Sequence, residues 1–195
     1  MIWCRIMHHH YVPQFLLNAW ANTTPDRKVE VFRLDLKHLP SSRLTPKYTG
    51  YEDDLYALSL SVVAGMEKQA VERHFLRHVD NRAAIVRRKL HESGLRALSR
   101  DERADWVWFL MSLRLRQPQT VLQLRQDSAE HLRETLNAQP EQYEVLAESD
   151  DAPTLEQWTE QHFPGLIENF GLSFFHKLVT DAEIGERIFR MKWWV

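Results

Sequence analysis

The chain has 195 residues, 44% hydrophobic and 27% charged, which excludes a disordered chain and leaves length enough for one domain with a real core. Its 6 glycines argue against a β-sandwich or barrel, and its single cysteine, Cys4, excludes an internal disulfide and a CxxC metal or redox site. The net charge is −2, no apolar run approaches the roughly 20 residues that span a bilayer, and Arg5 interrupts the apolar start, so no membrane partner and no secretory signal are read and the cytoplasm is the expected location.

Pro13 suits the first turn of a helix, and Phe15, Leu16, Ala19 and Trp20 then recur at helical spacing over about two turns. Asn22 to Asp26, with Pro25, reads as a turn. Lys28 to Leu34 alternates in polarity and predicts a strand. Lys37 to Tyr51, punctuated by Pro40, Pro46 and Gly50, reads as a loop, and Leu55 to Val63 is apolar and fits either strand or helix. Residues 1–63 therefore form a strand and loop region, and 64–188 a helical region, of one domain spanning 1–195.

From Glu67 to Leu90, Val71, Phe75, Val79, Val86 and Leu90 mark an apolar stripe that Arg82 alone breaks, with arginine and lysine opposite. Ser99 and Glu102 form a capping box that opens the next helix. Val107 to Leu115 leaves almost no polar face there, which predicts a buried central helix ended or kinked by Pro118. Val121, Ala129, Leu132 and Leu136 give a further amphipathic helix that stops near Pro140. Residues 141–153 are acidic and read as a surface loop, Thr154 with Gln157 as a second capping box, and Leu166 to Leu178 as a helix. Phe189 to Val195 alternates like a strand, expected to pair with the one at Val29 to Leu34. The fold class is thus α+β and mostly α: a helical bundle around a buried central helix, with a small sheet from N- and C-terminal strands.

The charge is unevenly divided. Residues 1–100 carry 16 Lys and Arg against 10 Asp and Glu; residues 101–195 carry 9 against 17. Arg73, Arg77, Arg87 and Arg88 belong to the basic excess, and the acidic excess lies in 127–168. This division fits either a nucleic-acid face, or oppositely charged surfaces that meet inside the fold or across a dimer, or helix faces that simply differ. Among local features, His8-His9-His10 offers imidazoles for a base, a metal ligand or a phosphate contact, with packing or capping as the alternative. Glu52-Asp53-Asp54 offers carboxylates for a divalent cation, or a solvated turn. Arg114 and Arg116 either satisfy the last carbonyls of the buried helix or bind an anion. His74 and His78, at i and i+4, have metal-compatible spacing but flank Phe75 as half-buried helix histidines also would. No P-loop, HExxH, GxSxG or dinucleotide fingerprint is present.

The stretch His10-Tyr11-Val12-Pro13-Gln14-Phe15-Leu16-Leu17 resembles the opening of the bacterial family catalogued as domain of unknown function 4238. The likeness runs on through Val29 to Leu34, Asp53-Asp54-Leu55-Tyr56 and the turn Arg116-Gln117-Pro118, and so covers most of residues 9–195. The resemblance implies an architecture and no activity. It also implies a further C-terminal segment beyond the strand on which this chain stops, and hence an uncovered sheet edge near Trp193 and Trp194 that would recruit a second copy as a homodimer.

Two function classes stand. One is an intracellular enzyme acting on a phosphate-containing substrate, plausibly nucleic acid, with His10, Glu52, Asp54 and Arg116 as catalytic groups. Gln14, Tyr56, Arg73, Arg77, Arg87 and Arg88 would bind ligand, with a divalent cation as cofactor. The other is a non-catalytic interaction module whose basic helix docks an acidic partner. They part on whether the catalytic side chains converge in one cleft.

Overall fold

A computed structural model describes residues 6–34, 37–59, 67–138 and 140–193. The fold is α+β and mostly α, with two antiparallel strand pairs near the N-terminus leaning on a helical body. Strand β1 (His8–His10) pairs with β4 (Tyr51–Asp53), so that His9 faces Glu52 and His10 faces Tyr51. Between them lie α1 (Gln14–Ala21) and a second pair, β2 (Val29–Phe32) with β3 (Ser41–Leu44). The predicted strand at 28–34 is β2, whereas β3 lies in a stretch whose prolines suggested a loop throughout. Leu55 to Ser59 form neither helix nor strand, and the rest of that apolar run, 60–63, lies outside the described residues.

The helical region opens with a π-helical turn, Val71–Leu76, that runs straight into α2 (Arg77–Ser93). Ser99 then caps α3 (Arg100–Leu115), accepting from the Glu102 N–H while the Glu102 carboxylate accepts from the Ser99 N–H, the predicted capping box. Val107, Phe109 and Met111 of α3 are buried, but Trp108 and Leu110 reach solvent along one edge. The central helix is therefore covered on most of its surface rather than all round. Pro118 begins α4 (Pro118–Asn137), where a missing N–H costs nothing. Residues 141–146, expected to be loop, belong to α5 (Pro140–Leu146), and the turn behind it is tied down by Tyr143 Oη donating to the Ala152 carbonyl at 2.7 Å.

Thr154 caps α6 (Leu155–His162), and the helix expected at 166–178 is divided into α7 (Leu166–Ser173) and α8 (Phe175–Val179). Helices α4 and α7 lie close because Gly171 has no side chain: a Cβ there would sit 2.7 Å from the Leu124 carbonyl oxygen. The C-terminal strand is corrected. Asp181 caps α9 (Ala182–Arg190), which includes Phe189 and Arg190, and Met191 to Trp193 are irregular. Alternation over so few residues could not outweigh the cap and the Ile184/Ile188 helical spacing. Trp193 instead lies 4.1 Å from the Arg103 guanidinium and donates Nε1–H to the Ile188 carbonyl at 3.0 Å. Trp194 and Val195 lie outside the described residues. The strand edge expected to carry a homodimer is thus absent over 189–193, and β2 has β3 as its partner. The core gathers Tyr56, Leu58, Leu76, Met111, Leu172 and Phe175, with Phe109, Val79 and Ala83 in a second cluster against Phe15.

Candidate active site

Period-two alternation separates the three histidines of β1. His9 points into the core and is fully buried. Its Nδ1 accepts from the Tyr56 N–H at 2.8 Å, so its proton sits on Nε2 and is donated to Gln69 Oε1 at 2.5 Å. Gln69 passes its amide N–H to Asp54 Oδ1 (3.0 Å), and Asp54 also accepts from Lys68 Nζ (2.8 Å) and the Met7 N–H (3.1 Å). Burial works against the Asp54 carboxylate, yet Lys68 and Gln69 hold its pKa below the usual value. Burial likewise pushes the His9 imidazolium below its ordinary range, which keeps the ring neutral as these bonds require.

The His9 ring stacks on Tyr56 with centroids 5.2 Å apart. Tyr56 Oη donates to the Arg116 carbonyl at 2.7 Å. Arg116, itself 0% exposed, holds Asp80 with two parallel bonds of 3.1 and 2.9 Å and the Ser112 hydroxyl with a third. One connected network thus runs from Asp54 through Gln69, His9, Tyr56 and Arg116 to Asp80.

Asp80 is where that network meets open space. A cleft of about 270 Å³ between the end of β1, α1 and the π turn with α2 is lined by His10, Gln14, Glu72, Arg77, Asp80 and Asn81. His10 reaches it because it stands on the opposite face of β1 from His9, and its ring packs near Tyr51. Gln14 reaches it because Pro13, with φ of −58°, starts α1 directly after the strand. The Gln14 amide lies 3.4 Å from His10 Nδ1, while His10 Nε2 is buried with no partner among the described residues. Burial lowers the His10 pKa, with the Pro46 and Lys47 carbonyls opposing, so the ring is neutral at pH 7. Glu72 is pushed the other way: burial first and the Asp80 charge second raise it to about 7, against Arg116 and Arg77. Asp80 therefore acts electrostatically on both His10 and Glu72.

Of the predicted catalytic group, only His10 enters this cleft. Arg116 lies behind it, fully buried, its guanidinium committed to Asp80 and Ser112. Asp54 belongs to the buried network. Glu52 lines a different cleft with Arg125. Of the predicted ligand-binding residues, Gln14 and Arg77 line the cleft and Tyr56 is buried beneath it, its hydroxyl held protonated by burial. Arg73 pairs with Glu67. Arg87 and Arg88 follow Arg77, Asp80 and Ala84 on the same face of α2, at helical spacing.

Neither has a side-chain hydrogen bond or ion pair among the described residues, and Arg87 Nε is buried without one. The α2 cations that face α3 are matched: Arg82 to Asp105 at 2.8 Å and Lys89 to Glu102 at 2.7 Å. The described ion pairs of α2 thus go to α3 rather than to the acidic stretch 127–168. His74 bonds Glu67 and His78 is exposed, and no group of three His, Cys, Asp or Glu gathers in metal-binding geometry among the described residues.

Glu72 and Asp80 escaped sequence reasoning because their spacing, eight residues apart with Leu76 between, looks like ordinary helix surface. The legible signal was a carboxylate pair bordering an apolar stripe. His9 could have been separated from His10 had 8–10 been read as a strand.

Together these features define a helix-rich α+β protein in which His10, Glu72 and Asp80 line a cleft between the β1–β4 pair and the basic helix α2. The chain belongs to the family described as Protein of unknown function (DUF4238), whose model matches residues 8–195. No curated protein and no solved structure matches it. Among the described residues no helix is long and apolar enough to cross a membrane. The opening motif has a physical account here: His10 and Gln14 line the cleft, the Val12 N–H ties to the Gly50 carbonyl at 3.0 Å, Pro13 starts α1, and Phe15 packs on Phe109.

Proposed function

We propose that the His10 cleft is the active site of an intracellular enzyme acting on a phosphate-containing substrate, with nucleic acid the favoured class. The observation that supports this most is the pairing in one cleft of His10, neutral and with an unmatched Nε2, with Glu72, whose pKa of about 7 suits proton transfer near neutrality. In this reading Glu72 and His10 divide the roles of proton acceptor and hydrogen-bond partner to the reacting oxygen. Arg77 meets the phosphate at the cleft mouth, and Arg116 holds Asp80 in place from behind. Arg87 and Arg88 extend the positive face about 16 Å along α2 from Arg77, at 1.5 Å per residue, long enough for several nucleotides of backbone. The carboxylates of Glu72 and Asp80 are the oxygen donors available to a divalent cation here, and no step depends on one.

Hydrolysis of bis(4-nitrophenyl) phosphate and of fluorescent single-stranded DNA and RNA tests the proposal, with and without magnesium or manganese. His10→Ala and Glu72→Gln should each lower turnover on the order of 100-fold or more, with the melting temperature of His10→Ala near that of the wild type and that of Glu72→Gln not below it. Absence of turnover on all of these substrates, or turnover untouched by both substitutions, removes the enzyme reading. The unmatched arginines of α2 favour a second reading, a binding module for polyanions; salt-sensitive binding without turnover selects it.

A further inference from the structure

The cleft that took Glu52 is separate from the His10 cleft and is built differently. It has a volume of about 320 Å³, and its walls are Leu55, Val121, Leu122 and Pro118, with Arg125 and Glu52 as its charged groups. Pro118, Val121, Leu122 and Arg125 fall on one face of α4 at helical spacing, so the apolar wall and the cation are presented together. Arg125 uses Nη2 to donate to the Ala57 carbonyl at 2.6 Å and the Leu55 carbonyl at 3.4 Å. Those bonds fix the guanidinium at the cleft, while Nε and Nη1 make none among the described residues. It has no carboxylate partner there either, and burial alone accounts for its lowered pKa. Glu52, opposite buried His9 in the β1–β4 pair, is exposed and equally without an ion pair among the described residues. Two opposite charges thus line one apolar cleft without meeting.

We propose that this cleft binds an apolar α-amino acid, its carboxylate on Arg125, its ammonium on Glu52 and its side chain against Leu55, Val121 and Leu122. The two donors that Arg125 leaves uncommitted, Nε and Nη1, each offer a carboxylate a charge-assisted hydrogen bond. A simple fatty carboxylate would leave Glu52 facing an uncharged chain, and a cation alone would leave Arg125 unmatched; a zwitterion with an apolar side chain uses every wall. This site stands independently of the chemistry assigned to the His10 cleft.

Equilibrium dialysis or calorimetric titration of the whole chain with L-leucine and L-phenylalanine tests it. Leucinamide, which lacks the carboxylate, and 4-methylpentanoate, which lacks the ammonium, serve as paired controls. Leucine should bind saturably, and each control should bind on the order of tenfold or more weakly. Glu52→Gln should erase the preference for leucine over 4-methylpentanoate, and Arg125→Gln the preference for leucine over leucinamide. Arg125 also holds two backbone carbonyls, so thermal melting accompanies its variant; if that variant fails to fold, Glu52→Gln and the two controls on the unsubstituted chain decide. No saturable leucine binding at millimolar concentration, or controls that bind as tightly as leucine, overturns the proposal.

Discussion

His9 and His10 are adjacent in sequence and sit in opposite physical situations. Behind β1, every polar atom of the His9 imidazole has a partner, and the network continues unbroken to Arg116. In front of β1, His10 Nε2 has no partner among the described residues, Glu72 has its pKa raised to about 7, and Arg87 Nε is unmatched about two turns beyond Asp80 on α2. A buried polar group without a partner costs free energy comparable to a lost hydrogen bond, so a fold keeps one at a stability disadvantage. The matched region is what stability alone would build. The unmatched region is where a ligand would complete what the chain leaves open, and that contrast, rather than the presence of histidines, separates scaffold from candidate site.

The contrast breaks most visibly at the end of the network. Removing one partner of a buried ion pair leaves an uncompensated charge and costs about 3–5 kcal/mol. Arg116→Leu, which strands Asp80, should therefore give the largest loss, read as a drop in urea midpoint with an unchanged slope. A loss under about 1 kcal/mol would place Arg116 at the level of a surface pair. His9→Ala comes next: it orphans the Tyr56 N–H and the Gln69 carbonyl, at about 1–3 kcal/mol for each buried group left unsatisfied. His10→Ala should cost clearly less in the same melt, because its Nε2 makes no bond of hydrogen-bonding geometry among the described residues and no buried N–H is orphaned by its removal. Equal losses for the two histidines would erase the distinction between the two faces of β1.

Glu72 gives the comparison a pH axis. Its folded pKa of about 7 lies above its ordinary value of 4.5, so the folded state holds the proton more tightly. That contribution is fully present below about pH 4.5 and is lost as pH rises through about 7. Glu72→Gln, uncharged at every pH, should flatten the stability profile over that window and make the protein more stable than wild type at pH 8, by at most about 3 kcal/mol. The same substitution should remove any rise in turnover through pH 7. A wild-type profile flat between pH 5 and 8 would show that Glu72 titrates as an ordinary surface carboxylate.

Helix positions were legible because their signals are local: the Ser99 capping box, the Pro118 break and the stripe at Val71 to Leu90 each depend on residues a turn apart. The motif marked His10 and Gln14 for the same reason, since both lie beside Pro13. What failed depended on distant partners. Asp54 looked like one of three free carboxylates until Lys68 and Gln69 folded onto it, and Arg116 looked available until Asp80, 36 residues away, claimed it. The alternation at 189–195 misled because a few residues of period two carry less information than the Asp181 cap. Glu72 stayed hidden because its shifted pKa is a property of burial and of the Asp80 charge, neither of which is written locally.

The smallest expected effect lies along α2, where matched and unmatched cations alternate on one helix. Arg73 and Arg82 already neutralise Glu67 and Asp105, whereas Arg77, Arg87 and Arg88 have no ion pair among the described residues. An arginine that meets a backbone phosphate releases counterions, and its removal lowers the salt slope of single-strand binding by roughly 0.7. Arg88→Ala and Arg77→Ala should each show that reduction when binding of a fluorescent oligonucleotide is followed by anisotropy from low to moderate salt. Arg82→Ala should leave the slope nearly unchanged, because its charge is already spent on Asp105. The two outcomes differ by less than one unit of slope, so the test rests on the pair and not on either alone. If Arg82 and Arg88 shift the slope equally, positive charge near α2 acts diffusely and the unmatched face carries no track for a phosphate backbone. If only the unmatched arginines matter, the gap the fold leaves on that face is one a polyanion fills.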